Sequence, residues 1–244
     1  MVREMDLIEQ ILSTLEPRAR TWSRPSVTLC YAQSIDGSIT FNRGKPLRLS
    51  GPDSQRLTHH LRARHDAILV GIGTIMADNP RLTVRLVDGK NPQPVVLDSQ
   101  LRFPLTTSLL QGERELGTRP PWIATTQKAK PRAARALEEA GAHVLQFASA
   151  PDGRVPLPDL LERLAALGIK NLMVEGGARV ITSFLSAGLV DSVVITIAPI
   201  FVGGLHAVEH LAVNGNSQLY PRPESLEVQP LGEDLILWGS FGGA

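Results

Sequence analysis

The sequence predicts an α/β protein: a mixed, mostly parallel sheet flanked by helices, with an antiparallel strand pair at the C-terminal end. Three observations carry this. Short apolar runs, such as residues 67–72 (AILVGI), alternate with helical patterns through the middle of the chain. Several of these runs are apolar throughout, as strands buried on both faces are. The last two segments, 226–230 and 234–241, flank a Gly232-Glu233 turn and read as a hairpin, which makes the sheet mixed at one edge.

The elements follow in order. Met5, Ile8, Ile11, Leu12 and Leu15 line one face of an amphipathic helix, which Pro17 should end. A polar connection follows over 18–26. This gives an N-terminal helical extension over 1–26, expected to pack on the body or on a partner subunit, and one domain over 27–244. The first core strand is 27–33 (VTLCYAQ), and Ser34-Ile35-Asp36-Gly37 makes a tight turn. Residues 38–41 continue extended, and 42–46 form a loop. Ser50 reads as the N-cap of a helix carried by Leu57, Leu61 and Arg64, with Pro52 in the first turn and Asp53 placed as in a capping box. After the strand at 67–72, Gly73-Thr74 opens a short helical turn that Asp78-Asn79-Pro80 breaks. Residues 82–85 are expected to be briefly extended. Strands follow at 94–97, 122–125, 142–146 and 192–198. Helices at 129–140 and 157–167 are stopped by Gly141 and Gly168.

Composition removes several function classes. With 25 Lys and Arg against 24 Asp and Glu, scattered along the chain, charge gives no support to nucleic-acid or membrane-surface binding. The one cysteine, Cys30, excludes an internal disulfide framework or a multi-Cys zinc site, and fits a reducing, cytoplasmic setting. The N-terminus mixes Arg3, Glu4, Asp6 and Glu9 into its apolar residues, unlike a signal peptide. There is no G-x-S-x-G, no H-E-x-x-H and no G-x-G-x-x-G. His59-His60 reads as helix surface rather than as a metal site, and no metal is expected.

The stretch with most chemistry is 170–181 (KNLMVEGGARVI). Leu172, Met173 and Val174 form a buried strand. Glu175, Gly176 and Gly177 follow, then Ala178, Val180, Ile181, Phe184 and Leu185 recur with helical spacing. A strand that meets a helix through glycines leaves backbone N–H groups bare at the helix start, which seats a phosphate. A glycine turn chosen only for tight packing remains the alternative. Ligands of α/β sheets bind beyond the carboxyl ends of the strands. Gln33, Ser34, Thr74, Asp78, Ser99 and Glu175 all fall at such ends, although each alone also fits a capping or turn residue.

Four blocks carry a resemblance: YAQSIDG at 31–37, LRARHDAILVGIGTIMADNPRLTVR at 61–85, VVLDSQLRFP at 95–104 and MVEGGARVITSFLSAGLVDSVVITIAPIFVGG at 173–204. In this order they resemble the pyrimidine reductases of riboflavin biosynthesis, over roughly residues 27–241. These are the stand-alone enzymes and the reductase half of the bifunctional deaminase-reductase. The resemblance implies a dihydrofolate-reductase-like fold, NADPH as hydride donor and a homodimer. It implies reduction of the ribosylamino group of a pyrimidine 5′-phosphate to a ribitylamino group. Position by position, it places Ala32, Thr74, Asp78 and Ser99 at the NADP site. The glycine turn with Gly176, Gly177, Ala178, Arg179, Val180, Ile181, Thr182 and Ser183 falls at the pyrophosphate. Arg62, Leu82, Arg85 and Glu175 fall at substrate places. Two arginines suit a 5′-phosphate, and they are expected in one patch remote from the glycine seat. Asp78 and Glu175 are the candidate catalytic carboxylates, with no acid assigned.

Three departures stand out. Cys30 occupies a place where many bacterial members have lysine. Pro46-Leu47-Arg48-Leu49-Ser50 replaces a Ser-x-Trp-Ile-Thr segment, with Arg48 as a substitute beside the cofactor. The deaminase zinc signatures H-x-E and P-C-x-x-C are absent. Two rival readings stay open: another reductase of the same fold acting on a pterin or unknown substrate, and a nucleotide-binding paralogue without turnover. The sequence leaves open whether the pyrimidine is aminated or deaminated.

Overall fold

In the computed structural model, residues 2–15, 23–111, 118–211 and 220–242 are described. The chain begins with α1 (Val2–Thr14), β1 (Ser26–Ser34), β2 (Ser38–Thr40) and α2 (Pro52–Arg64). Next come β3 (Ala67–Gly71), α3 (Ile72–Asp78), β4 (Gln93–Leu97), α4 (Ser108–Gln111) and β5 (Trp122–Thr126). Then follow α5 (Pro131–Glu139), β6 (His143–Phe147), α6 (Leu157–Ala166), β7 (Asn171–Val174) and α7 (Ala178–Ser186). The chain closes with β8 (Ser192–Ala198), β9 (Leu205–His206), β10 (Ser225–Leu231) and β11 (Asp234–Ser240).

β1 lies inside a nine-stranded sheet of order β10-β11-β8-β1-β7-β3-β4-β5-β6. Every pair from β8 across to β6 is parallel, while β11 runs antiparallel to both β8 and β10. This is the mixed sheet that the sequence predicts. Apolar residues alternate between the two faces along each strand. Leu172 and Val174 share one face with Val27, Leu29, Ala67 and Leu69, under α6 and α7. Met173 faces the other way, into a cluster with Cys30, Leu57, Leu61 and Trp238 under α1 and α2. Ile68 and Val70 continue that second face under α3 and α5. Both faces are covered, which is why apolar residues fall on both faces of the central strands.

Several local expectations change. The helix α2 starts at Pro52 with Gly51 as N-cap, and no side chain of its own segment caps it. The cap comes from β11: an Asp234 oxygen accepts from Gly51 N–H at 2.8 Å and from the Ser54 hydroxyl at 2.6 Å. Asp53, expected to close a capping box, instead accepts from Arg56 at 2.6 Å. Residues 82–85 form no strand, because Leu82 is held at φ +53°, a left-handed conformation incompatible with extension. On α1 the buried face is Leu7, Ile8, Ile11 and Leu12, whereas Met5 is exposed. These side chains belong to the cluster around Trp238, so α1 closes the core of the body. Pro17 and most of the expected connection lie outside the described residues. His59, expected on the helix surface, is buried at 4% exposure. No helix among the described residues is long and apolar enough to cross a membrane.

Candidate active site

α2 brings Arg62 to the end of β7. There its Nε donates to Glu175 Oε1 and its Nη2 to Glu175 Oε2, both at 2.7 Å, a two-bond fork. The third nitrogen, Nη1, donates to the Thr83 carbonyl at 3.2 Å. Arg85 reaches the same residue: its Nη1 lies 3.1 Å from Thr83 Oγ1 and 3.5 Å from the Thr83 carbonyl oxygen. The backbone N–H of Arg85 is in turn accepted by His59 Nδ1 at 2.9 Å. The two expected arginines therefore do converge, through Thr83. They are not remote from the glycine seat, because Glu175 directly precedes Gly176.

A cavity of about 280 Å³ opens beside them, lined by Arg62, Pro80, Arg81, Leu82 and Arg85. Three of these side chains are cationic and none is acidic. The turn Asp78-Asn79-Pro80 sets this up: Asn79 at φ +42° ends α3, and Leu82 at φ +53° turns its side chain into the core while Arg81 stays outside. Arg81 was missed in the sequence, where a single arginine beside a known candidate gives no separate signal.

The larger cleft, about 1700 Å³, runs along the carboxyl ends of β1, β3, β4 and β7. Ala32, Arg48, Thr74, Asp78, Ser99, Glu175, Arg62 and Arg85 line it. So do Gly176, Gly177, Ala178, Arg179, Val180, Thr182 and Ser183 at the start of α7. Ile181 does not: it is fully buried in the core beneath α7, because its place on the helix turns it toward the sheet. Leu82 lines the smaller cavity only.

The two glycines differ. A Cβ at Gly176 would stand 2.4 Å from Val180 Cβ, so this position is closed by packing. A Cβ at Gly177 would meet nothing within 4 Å. Gly177 is the N-cap of α7 at φ −75°, a conformation that any residue adopts, and no side chain caps the helix. Its open side thus faces the space that a ligand at the helix start would use. Ser99 Oγ accepts from Val155 N–H at 3.2 Å, tying the end of β4 to the far wall. Arg48 donates to Gln55 at 3.1 Å, on α2.

The electrostatics sort the titratable groups. Burial works against the Arg62 cation, but the paired Glu175 carboxylate outweighs it and raises the guanidinium pKa. Burial lowers Arg85, and the neighbouring Arg62 and Arg81 lower it further, as expected of like charges held together. Burial raises the Asp78 carboxyl above its ordinary value. Burial pushes the Cys30 thiol far up, so it is an inert core group beneath the pair. His65 is a satisfied core histidine, bonded to the Leu61 carbonyl at 2.6 Å and to Thr28 Oγ1 at 2.9 Å.

A covered, mostly parallel sheet with a cleft at its strand ends, a glycine-led helix and a cluster of guanidiniums defines an α/β protein with its candidate site beyond the strand ends. Within that class the chain belongs to the family of the RibD C-terminal domain, whose family model matches residues 25–237. It is 41% identical over 191 residues to the 2,5-diamino-6-ribosylamino-4(3H)-pyrimidinone 5′-phosphate reductase of Archaeoglobus fulgidus, covering 74% of this chain and 83% of that one. The reductase of the same name from Methanothermobacter thermautotrophicus is 40% identical over 219 residues, covering 88% of this chain and 97% of its own. Against the riboflavin biosynthesis protein RibD of Aquifex aeolicus the identity is 34%, and the chain spans 58% of that longer protein. The solved structure of the riboflavin biosynthesis reductase Rib7 of Saccharomyces cerevisiae superimposes with a TM-score of 0.76 at 25% identity, covering 98% of this chain and all of the other.

Proposed function

We propose that this protein reduces the ribosylamino group of an aminopyrimidine ribosylamine 5′-phosphate to a ribitylamino group, with NADPH as hydride donor, in riboflavin biosynthesis. The observation that carries the reading is the convergence of Arg62 and Arg85 on Thr83, beside a cavity with a third guanidinium, Arg81. Such a cluster suits a phosphate dianion, and a pterin offers none. The two stand-alone relatives at 40–41% identity favour the diamino form of the pyrimidine as substrate.

The cleft fits the cofactor on two counts. Gly177 leaves open space over an uncapped helix start, where its phosphates would find N–H donors from the first turn of α7. Thr74, Asp78 and Ser99 line the same cleft. When bound, NADPH supplies the hydride that C1′ of the ring-opened sugar accepts. The chain's residues do the rest. Arg62 and Arg85 hold the phosphate end, with Arg81 beside them. Glu175 fixes Arg62 in one orientation with both of its oxygens. Asp78, whose burial favours the protonated carboxyl, is the candidate to hold the proton that the reduction takes up. Much of the rate then comes from holding donor and acceptor carbons together.

The protein is read as a cytoplasmic homodimer. Support for the dimer comes from β10, which ends the sheet order and shows Leu226 and Val228 each at 51% exposure beside Leu235 at 45%. The deciding experiment follows NADPH oxidation with the diamino and the deaminated pyrimidine, each with and without its 5′-phosphate. Turnover of the phosphorylated diamino compound is expected to dominate. Equal turnover of the dephosphorylated riboside would remove the reading in favour of another reductase of this fold.

A further inference from the structure

His59 has no role in the cofactor contacts above and belongs to no metal cluster among the described residues. It sits on α2 one turn before Arg62, is 4% exposed, and still lines the cleft. Its Nδ1 accepts the Arg85 backbone N–H at 2.9 Å. An acceptor Nδ1 has no proton, so the neutral ring carries its proton on Nε2. Among the described residues no group accepts from that Nε2–H.

We propose that His59 is a phosphate-binding residue: Nδ1 anchors the backbone of Arg85 while Nε2–H donates to the substrate phosphate held between Arg85 and Arg62. The proposal rests on the phosphate-binding reading above and adds to it a neutral donor. Neutrality has a physical cause. Burial, then Arg62 and Arg85, push the imidazole down to about 4, with His60 adding slightly and Glu175 opposing. A further cation would repel Arg62 and Arg85, whereas a neutral N–H adds a bond to the anion at no such cost. The fixed tautomer also assigns the donor: with Nδ1 tied to the chain that bears Arg85, Nε2–H is the ring group left to donate in the cleft that His59 lines.

The test uses the full chain and ribose 5-phosphate as probe. In calorimetry the unmutated protein should bind ribose 5-phosphate in strong preference to ribose. His59→Asn keeps an acceptor near the position of Nδ1 but has no distal donor. His59→Gln keeps a distal N–H but loses the acceptor for Arg85. Each should weaken ribose 5-phosphate binding by about ten-fold, the loss of one hydrogen bond to a charged group. NADPH affinity should not change, and the KM for the phosphorylated substrate should rise more than kcat falls. A second measurement needs no variant. In ¹⁵N NMR, His59 should show a protonated Nε2 and a bare Nδ1, and ribose 5-phosphate should shift the Nε2–H resonance. Unchanged affinity in His59→Asn, or an Nε2–H resonance that ribose 5-phosphate leaves in place, overturns the proposal alone. Equal binding of ribose and ribose 5-phosphate to the unmutated protein overturns it together with the phosphate reading.

Discussion

Arg62 and Glu175, far apart in sequence, are joined by two parallel hydrogen bonds of 2.7 Å with side-chain exposures of only 12% and 17%. The pair ties α2 to the end of β7 and so holds the two walls of the cleft together. Breaking one partner strands the other charge away from water. Arg62→Ala is expected to cost about 3 kcal/mol, the lower end for a broken buried pair because some exposure remains. Removing both partners should cost clearly less than the sum of the single changes. Chemical denaturation of the two single variants and the double variant checks this, and simple additivity would show that the two charges act independently.

The glycine turn makes a paired prediction. Gly176→Ala places a Cβ 2.4 Å from Val180 Cβ, and backbone must move, so the melting temperature should fall whether or not a cofactor is present. Gly177→Val adds its side chain to open space, so the fold should survive while NADPH binding is lost. Fluorescence titration of NADPH on the folded Gly177→Val protein decides the matter. Normal affinity there would remove the helix start from the cofactor site.

What the sequence revealed, and what it hid, follows from the range of the interactions. Strand 192–198 could be read to the residue, because a two-face-buried strand announces itself in a local apolar run. Arg62 and Glu175 were each recognisable as candidates, but their pairing spans 113 residues and has no local signature. The cap of α2 shows the same limit. Ser50 is a good local choice, yet Asp234 takes the role from 183 residues away. His59 was misplaced because it lies off the face of Ser54, Leu57 and Leu61, where local periodicity predicts exposure, and the segment that carries Arg85 packs over it. Tertiary hydrogen bonds overrule the pattern there.

The Asp234 cap can be tested directly. Its side chain serves two donors while 3% exposed, so Asp234→Ala leaves Gly51 N–H and the Ser54 hydroxyl without their acceptor. A loss of roughly 2 kcal/mol is expected, at the upper end for an N-cap. Hydrogen exchange should quicken in the first turn of α2 before it does elsewhere. Uniform change across the chain would mean that Asp234 acts on β11 instead.

The N-terminal helix was expected to pack on the body or on a partner subunit. Leu7 and Leu12 are at most 7% exposed, and Ile8 and Ile11 are fully buried, against the underside of α2 and β11. Each such side chain contributes about 1.5–3 kcal/mol, and together they approach the whole stability of a domain. Deleting residues 1–20 should therefore prevent stable folding rather than merely lower the melting point. Ile8→Ala is the gentler test, expected to cost about 2–5 kcal/mol. Its Michaelis constants should stay near those of the unmutated enzyme, since no described side chain of α1 lines the cleft. A large rise in KM with an unchanged melting temperature would instead make α1 part of the site.

Asp36 gives a prediction in pH. Its Oδ1 accepts from the Ser34 hydroxyl at 2.6 Å and Val202 N–H at 2.9 Å, and its Oδ2 from the Ser38 hydroxyl at 2.9 Å and Gly203 N–H at 2.8 Å. The Ser34 hydroxyl, then the two backbone N–H groups, hold this carboxyl well below the usual carboxylate range. The folded state therefore binds a proton less readily than the unfolded chain, whose aspartate titrates near about 3.9. Stability from this group is present in full above that value and declines as pH falls below it toward the folded pKa. Asp36→Asn keeps the shape but turns an amide N–H toward donors, so it should melt below the unmutated protein near neutral pH. The gap between the two melting curves should then narrow steadily as the pH is lowered from roughly 5 to 2. A gap that holds constant over that range would mean that the charge of Asp36 is not what joins the β1–β2 turn to the loop after β8.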